Sequence, residues 1–282
     1  MLARAEPFPV RRALPWTLLV GGTLFGVILL ASLAAPLFAP FRFDAMDVMG
    51  RMRPPDAMHW LGTDEFGRDV LSRVLHGGST SIGLGVAATA FAFSIGVPLG
   101  LLGGYVRGRW DDVIMRSVDI LVSIPPIMLG LLILATTTPG VWKAALAVGI
   151  IYVPILVRLS RSVALSLAQE EFILAARVRG EGLGWILFRE ILPNALPPLV
   201  VETSLRVSFA ILLGSVFSFL GLGTQPPSSD WGLMIAEARA YLEQAPWIAL
   251  APGIALCVTI VSINLIGEGL RQSLDVRNRP GE

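Results

Sequence analysis

Residues 166–193 read SLAQEEFILAARVRGEGLGWILFREILP and are the longest charged segment with strong helix signals in an otherwise apolar chain. Ser166 and Gln169 have the spacing of a helix capping box, and Glu171 follows in the first turn, where the helix dipole favours a carboxylate. Gly180 can end such a helix, because glycine adopts a positive φ without strain. We therefore expect a helix that begins near Ser166 and ends at Gly180.

The second half of this segment predicts another short helix over about 184–192. This helix should stop at Pro193, because proline lacks the backbone N–H that a helix interior needs. Ala175 and Ala176 are small enough for another protein to approach the first helix closely, and Arg177 beside them carries donors suited to carboxylates and carbonyls. The pattern predicts a helix–glycine–helix unit between two membrane spans. The alternative is an ordinary amphipathic cytoplasmic helix in which the alanines are incidental.

The composition indicates a membrane protein. Of the 282 residues, 54% are hydrophobic and 15% are charged, whereas a soluble domain carries about 25% charged residues. The net charge of +1 gives no reason to expect a nucleic-acid partner. The single cysteine, Cys257, cannot form an intrachain disulfide, and His59 and His76 have no ligand-like spacing, so we predict no metal site.

Uncharged runs predict six membrane spans. The first lies within residues 13–41, which is long enough to cross a bilayer, since about 20 apolar residues suffice. A cleaved signal peptide is the alternative for this run, but the apolar part is too long for one. The other five spans are predicted within 74–106, over 119–137, between Lys143 and Arg158, over 198–220 and over 247–267.

Six spans place both termini on the same side of the membrane. The tails and loops on that side, including the 166–193 segment, carry more basic residues than those on the opposite side. Because basic residues accumulate in cytoplasmic loops, we predict that both termini and the 166–193 segment are cytoplasmic.

A polar stretch precedes the second span and reads LGTDEFGRDVLSRVLHGG over residues 61–78. Thr63 and Asp64 have the character of a helix start. Asp69 and Arg73 stand four residues apart, which allows an ion pair on one helix face. The residues alone predict a solvated helix at the membrane surface.

Glu202 and Arg206 are the conspicuous charges inside a predicted span. Their four-residue spacing allows them to pair, which lowers the cost of placing either in hydrocarbon. They either line a translocation path or form an ion pair that orients the fifth span against a neighbour. Farther along the chain, Trp231, Tyr241 and Trp247 predict an aromatic belt at the outer interface.

The chain contains no nucleotide-binding loop. Such a loop needs a glycine-rich turn followed by Gly-Lys-Ser/Thr, and the only lysine, Lys143, stands between Trp142 and Ala144. No side chains are spaced for nucleophilic catalysis, so we predict that the chain is not an enzyme and binds no cofactor itself. If ATP drives its work, a separate ATPase must dock on it, and the 166–193 segment is the substantial candidate surface.

Three motif runs resemble the permease subunits of ABC importers of the dipeptide/oligopeptide/nickel type. The pair Ala175–Ala176, followed by Gly180 and later by Leu192–Pro193, is similar to the coupling loop of these permeases. The run G-T-D-x-x-G-R-D-V-L-S-R over 62–73 and the run F-L-G-L-G-x-Q-P-P-x-x-x-W-G over 219–232 also resemble this branch.

The resemblance implies an all-α membrane protein of the type I ABC importer fold, with six transmembrane helices and a cytoplasmic coupling helix between spans four and five. It further implies three regions. Residues 1–60 hold a cytoplasmic tail, the first span and the start of an outer loop. Residues 61–275 form the permease domain, with a coupling loop at about 160–197, and 276–282 are a cytoplasmic tail. Leu174 departs from the family pattern, which has a glutamate at that position.

The implied activity is that of an inner-membrane permease subunit that passes peptides or a related small solute delivered by an extracytoplasmic substrate-binding protein. The implied partners are a second, related permease, two ABC ATPase subunits that bind ATP and Mg, and membrane lipid. The residues implied in ATPase coupling are Glu171, Ala175, Ala176, Arg177 and Gly180. An ion-coupled secondary transporter, for which only Glu202 offers a carboxylate deep in a span, and a channel-like membrane protein are the alternatives.

Overall fold

The computed structural model describes residues 14–274, which are mostly helical and contain no strand. The predicted tails over 1–12 and 276–282 lie outside the described residues. The helices are α1 Trp16–Leu33, α2 Ala35–Phe38, α3 Val70–Val106, α4 Arg109–Val122, α5 Pro126–Ala135, α6 Val141–Leu167, α7 Glu171–Val178, α8 Leu183–Trp185, α9 Leu192–Phe219, α10 Trp231–Ala238 and α11 Trp247–Leu274. A π-helical turn, Ile186–Ile191, joins α8 to α9, and 3-10 turns cover Val48–Gly50 and Arg239–Tyr241.

Five of the described helices are long and apolar enough to cross a membrane. They are α1, α3, α6, the continuous helix Leu183–Phe219 and α11. A sixth span exists if α4 and α5 count as one, since the two pass the same test together but meet at an angle of 86°. The predicted all-α membrane architecture is therefore confirmed, with one span broken.

The sequence predicts a single helix for the third span, and the structure breaks it. Helix α4 has Ser123 as its C-cap, and the N–H of this residue donates a hydrogen bond of 3.0 Å to the Asp119 carbonyl oxygen. Helix α5 begins at Pro126. Pro125 and Pro126 cause the break, because each lacks an N–H and favours an extended residue before it. The charged residues before this span, Arg109, Asp111, Asp112 and Arg116, lie within the helix α4.

The predicted helix start at Thr63 and Asp64 is wrong. Gly62 and Gly67 have φ values of 73° and 76°, in the left-handed region that interrupts a regular helix. The chain between them forms a compact loop, and α3 begins only at Val70.

Helices α3 and α6 approach each other through small residues. A Cβ built on Gly96 would lie 2.8 Å from Leu156 Cβ, and one built on Gly104 would lie 2.6 Å from the Arg161 carbonyl oxygen. Neither site has space for a side chain, so both glycines are needed for this close contact between two membrane helices. Helix α3 has 37 residues and is about 55 Å long.

The capping box predicted at Ser166 is wrong, because α6 continues through it to Leu167. The Ser166 hydroxyl donates to the Val163 carbonyl oxygen at 2.8 Å and is used inside α6. A short connection follows, and α7 begins at Glu171 without a side-chain cap. The continuing helix α6 therefore overrides the local capping signal of Ser166 and Gln169.

The predicted glycine ending of α7 is confirmed. Gly180 has a φ of 75°, and its N–H donates to the Arg177 carbonyl oxygen at 3.0 Å. The N–H of Glu181 donates to the Ala176 carbonyl oxygen at 3.2 Å. These two bonds form a Schellman motif, which satisfies carbonyl groups that the last turn of a helix leaves open.

The short helix predicted over 184–192 is wrong, since the chain continues as one helix over Leu183–Phe219 and passes through Pro193. In the π-helical turn before α9, the Leu192 N–H donates to the carbonyl oxygen of Leu187, five residues earlier. Because this wider turn restarts the hydrogen-bond pattern, Pro193 falls in the first turn of α9, where its missing N–H costs little.

Candidate functional site

Helix α7 stands between two membrane spans and has two distinct faces. Ile173 and Ala176 on one face are completely buried. Leu174 and Val178 on the other are 48% and 89% exposed, and Ala175 is also exposed. A helix of eight residues is too short to be stable in isolation, so packing of the buried face must hold it in place.

The buried face of α7 packs into a hydrophobic cluster with residues of α3, α6, α9 and the π-helical turn before α9. Ile173 and Ala176 lie in one core with Val97 and Leu101 of α3 and with Ile191 of the π-helical turn. Burial of a side chain the size of Ile173 contributes roughly 1.5–3 kcal/mol. This burial holds α7 against α3 and against the π-helical turn that leads into α9.

This orientation separates the two alanines that the sequence places together. Ala176 is fully buried against the chain itself, so it is not available for close approach by another protein, whereas Ala175 is exposed. The small size of Ala176 instead serves the contact between α7 and its own core. Glu171 and Gly180 at the two ends of α7 are exposed.

Arg177 in α7 and Arg179 just after it are both engaged within the chain. Arg177 Nε donates to the Tyr105 hydroxyl at 3.0 Å, and the guanidinium carbon lies 4.7 Å from the centroid of that ring. Arg179 donates to Glu190 at 3.1 Å and lies 3.5 Å from Glu181. Arg177 thus links α7 to the end of α3.

Glu202 and Arg206 form the ion pair that their spacing predicts. Arg206 Nε donates to Glu202 Oε1 at 2.6 Å, and a second guanidinium nitrogen contacts the same oxygen. The guanidinium carbon lies 6.0 Å from the ring centroid of Tyr152 and 5.5 Å from that of Phe209. Both charged side chains are about a quarter exposed, which places the pair at a partly open surface of α9.

Next to this pair, a groove of about 300 Å³ opens between α6, α9 and α11. Its lining residues are Leu159, Pro197, Pro198, Val201, Glu202, Arg271 and Leu274. The groove is mainly apolar, with one carboxylate and one guanidinium at its wall. Its chemistry therefore permits contact with a solute that has both apolar and charged parts.

Four charged side chains, three from the run over 62–73 and one from α10, form a buried ion network. Asp64 accepts from Arg68 Nε at 2.6 Å and from Arg73 Nη1 at 2.7 Å. Glu237 of α10 accepts from Arg73 Nη2 at 2.8 Å and from Arg68 Nη2 at 3.2 Å. The predicted Asp69–Arg73 pair is therefore wrong, because Asp69 caps α3 instead.

Glu65 is the surplus acid of this ion network, since Asp64 and Glu237 already match the two guanidiniums. Its Oε1 lies 3.2 Å from Arg68 Nη2, while its buried Oε2 has no partner among the described residues. Burial raises the pKa of the Glu65 carboxyl above its ordinary value.

The predicted aromatic belt is wrong for Trp231, which is almost completely buried. Its Nε1 donates to the Val74 carbonyl oxygen at 2.9 Å, near the start of α3. Asp230 caps α10 and accepts from the Ser81 hydroxyl at 2.8 Å, and burial raises the pKa of this carboxyl. Together with Glu237, these contacts fix α10 against the beginning of α3.

Sequence reasoning misses this ion network because Glu237 is far in the chain from the other three residues. Arg73 and Glu237 are 164 residues apart, and no local spacing rule connects them. The only signal is the density of charge in the run over 62–73 beside an apolar span. Across residues 14–274, no group of three or more His, Cys, Asp or Glu residues is placed to hold a metal ion.

The sequence matches, over residues 96–280, the family described as "Binding-protein-dependent transport system inner membrane component". It is 39% identical to the dipeptide transport system permease protein DppC of Alkalihalophilus pseudofirmus, over 91% of this chain and 84% of that protein. It is 41% identical to the probable D,D-dipeptide transport system permease protein DdpC of Escherichia coli K12, over 88% of this chain and 84% of that protein.

The fold resembles that of a chain in inward facing structures of the MetNI methionine ABC transporter. Two such structures align with TM-scores of 0.59 and 0.60 at 19% sequence identity. The alignments cover 72% of this chain and 96% or 97% of the other. At this identity the similarity concerns the fold alone.

Proposed function

Because this chain belongs to the family of binding-protein-dependent transport system inner membrane components and is a permease subunit of an ABC importer, we propose that its solute is a peptide or a related small molecule. The permease relatives named for dipeptide and D,D-dipeptide transport support this choice. The mainly apolar groove with Glu202 and Arg271 at its wall is consistent with such a solute, since a peptide carries both charged ends and apolar side chains.

The proposed partners are a related second permease, two ABC ATPase subunits and an extracytoplasmic binding protein. The sequence has no nucleotide-binding loop, so ATP and Mg would be bound by the ATPase subunits. The binding protein would deliver the solute to the side that carries the Asp64–Glu237 ion network. The second permease and membrane lipid would cover the exposed apolar faces of the spans.

The single observation that carries the mechanism is the two-faced character of α7. Its buried face is fixed to α3 and to the start of α9, while its exposed face presents the apolar Leu174 and Val178. We propose that this exposed face docks in the ATPase and that Glu171, Ala175, Arg177 and Gly180 surround the contact. The small side chain of Ala176 contributes indirectly, because it allows α7 to pack closely against the core of the chain.

Helix α3 offers the path along which motion at α7 reaches the other side of the membrane. Tyr105 near its end contacts Arg177, and Arg73 near its start belongs to the ion network. These two positions are about 48 Å apart along a helix that rises 1.5 Å per residue. ATP binding would then shift the balance between two conformations, which requires that each partner prefer one of them.

The proposed orientation places α7 and both termini in the cytoplasm. It rests on the excess of basic residues in the tails and loops on that side of the chain. The ion network and α10 would then face the outside, where the binding protein arrives.

Glu202 and Arg206 are proposed to line the translocation path. The pair is partly open rather than sealed in the core, and Glu202 borders the groove between α6, α9 and α11. The alternative role is to orient α9. Uptake by Arg206→Leu distinguishes the two: a path residue predicts altered solute preference, whereas wild-type uptake with unchanged preference would exclude a role in the path.

The test of the coupling proposal is Ala175→Glu rather than a change at Ala176. A glutamate at 176 would bury an unpaired charge and disturb the core, which would obscure the result. Ala175→Glu alters only the exposed face, so we expect normal insertion and at least tenfold less uptake. Ala175→Ser is the matched control and should retain activity. Full uptake by Ala175→Glu would contradict docking at this face.

A further inference from the structure

A cleft of about 510 Å³ opens beside the exposed face of α7. It is lined by Tyr105, Val106 and Arg107 from the end of α3, by Ala168 and Gln169 after α6, and by Leu174 and Arg177 of α7. None of these described lining residues is acidic, and two are arginines. The cleft is therefore positively charged and borders the surface proposed to meet the ATPase.

Arg177 is held at the wall of this cleft in a defined position. Its Nε bond to the Tyr105 hydroxyl and the stacking of its guanidinium over the Tyr105 ring fix the side chain without neutralising it. No carboxylate of the described residues lies within ion-pair distance of it. The remaining N–H groups of the guanidinium are thus available for a carboxylate from another chain.

Arg107 supplies the second positive charge from an unusual backbone conformation. Its φ of 60° and ψ of −170° lie in a region that glycine almost alone adopts. Its side chain forms no ion pair within residues 14–274. Asp111 interacts electrostatically with Arg107, but its carboxylate already accepts hydrogen bonds of 2.5 Å and 2.6 Å from Arg161.

We propose that this cleft receives an acidic side chain, flanked by apolar residues, from the ATPase subunit, and that Arg107 and Arg177 are its contacts. Leu174 at the cleft and Val178 beyond it provide an apolar surface for the flanking residues. The inference rests on the proposed function, because it names the chemistry of the ATPase segment that meets α7.

Charge complementarity decides between an acidic and a basic occupant. A basic segment would bring a third positive charge toward two guanidiniums, and like charges at an interface oppose association. An acidic side chain could instead form charge-assisted bonds with one or both arginines. Leu174 is uncharged and does not affect the choice between an acidic and a basic occupant.

Arg107→Lys gives a direct test, because it keeps the charge and introduces an amine that carbodiimide can join to a carboxylate. The natural chain has one lysine, Lys143, near the start of α6 and far along that helix from the cleft. The intact transporter is treated with carbodiimide, and adducts are mapped by mass spectrometry. We expect an isopeptide bond between residue 107 and an Asp or Glu of the ATPase. Arg109→Lys, an exposed neighbour outside the cleft, is the matched control and should give none.

A second measurement uses charge reversal. Arg107→Glu should weaken binding of the purified ATPase to the reconstituted permease pair by about tenfold at low salt, and Arg109→Glu should change it less than twofold. Added salt should reduce the difference between the two variants, since screening weakens ionic contacts.

The outcomes separate this inference from the proposed function. If the wild-type chain assembles with no ATPase, the proposed function fails. If the wild-type transporter assembles but the lysine at 107 joins no ATPase carboxylate, and Arg107→Glu binds as tightly as Arg109→Glu, only the acidic occupant of the cleft is refuted.

Discussion

Replacement of Arg73 by methionine tests the buried ion network at the start of α3. The guanidinium of Arg73 is 1% exposed and donates to Asp64 at 2.7 Å and to Glu237 at 2.8 Å. Methionine keeps an unbranched apolar side chain but is shorter and lacks the guanidinium, so Arg68 remains as the one cation of the described network for Asp64 and Glu237. Removal of one partner from a buried ion pair costs about 3–5 kcal/mol, because the remaining charge stays buried without compensation. We expect a loss of about 3 kcal/mol, since Arg68 retains part of the pairing.

The assay is the thermal stability of the detergent-purified chain, followed by size-exclusion chromatography after heating. Arg73→Met should aggregate at a clearly lower temperature than the wild type, and Arg73→Lys should lie between them because it keeps the charge but not the paired donors. Arg116→Met, at an exposed position of α4, is the matched control and should behave as the wild type.

A double-mutant cycle isolates the contact itself. When Glu237→Gln is combined with Arg73→Met, the loss should be smaller than the sum of the two single losses, because the two residues share one interaction. Equal stability of Arg73→Met and the wild type would refute the reasoning that this network fastens α10 to α3.

Further predictions concern Glu65, the α3–α6 contact and Trp231. The pKa of the Glu65 carboxyl is raised in the folded state, so the contribution of this group to stability is complete below the ordinary value of 4.5 and is lost as the pH rises through the folded-state pKa. Glu65→Gln should therefore have a higher melting temperature than the wild type at neutral pH. Equal melting temperatures there would contradict this. Gly104→Val should prevent accumulation of folded protein, because its Cβ would lie 2.6 Å from a backbone oxygen, whereas Gly83→Val has open space and should express normally. Trp231→Phe should lose about 1 kcal/mol through the missing bond to Val74; no change in denaturant midpoint would show that this bond is dispensable.

Several features are readable from sequence because their causes are local. A glycine at position 180 is the residue that a helix end with positive φ requires, and the structure has φ of 75° there. The four-residue spacing of Glu202 and Arg206 places them on one face of any helix, and they are paired. Long uncharged runs likewise reveal the spans, because the membrane imposes their length.

Other features depend on contacts that local patterns do not contain. Pro193 looks like a helix stop, yet the π-helical turn before it lets one helix continue to Phe219. Asp69 and Arg73 have the spacing of a pair, but Arg73 instead pairs with Asp64 at 2.7 Å and with Glu237 at 2.8 Å, and only the fold brings Glu237 near. Ala175 and Ala176 look equivalent in the sequence, and only the packing of α7 shows that Ala176 is buried and Ala175 is exposed.

The most direct measurement of the central claim is cross-linking from the exposed face of α7. Val178→Cys is combined with Cys257→Ser, so that the chain carries a single thiol, and the assembled transporter is treated with a thiol-reactive photo-cross-linker. Glu243→Cys, in the exposed connection before α11, is the matched control. We predict an adduct between position 178 and the ATPase whose yield changes when ATP is added, and none with the ATPase from position 243. An ATPase adduct from position 243 and only lipid adducts from position 178 would contradict the account.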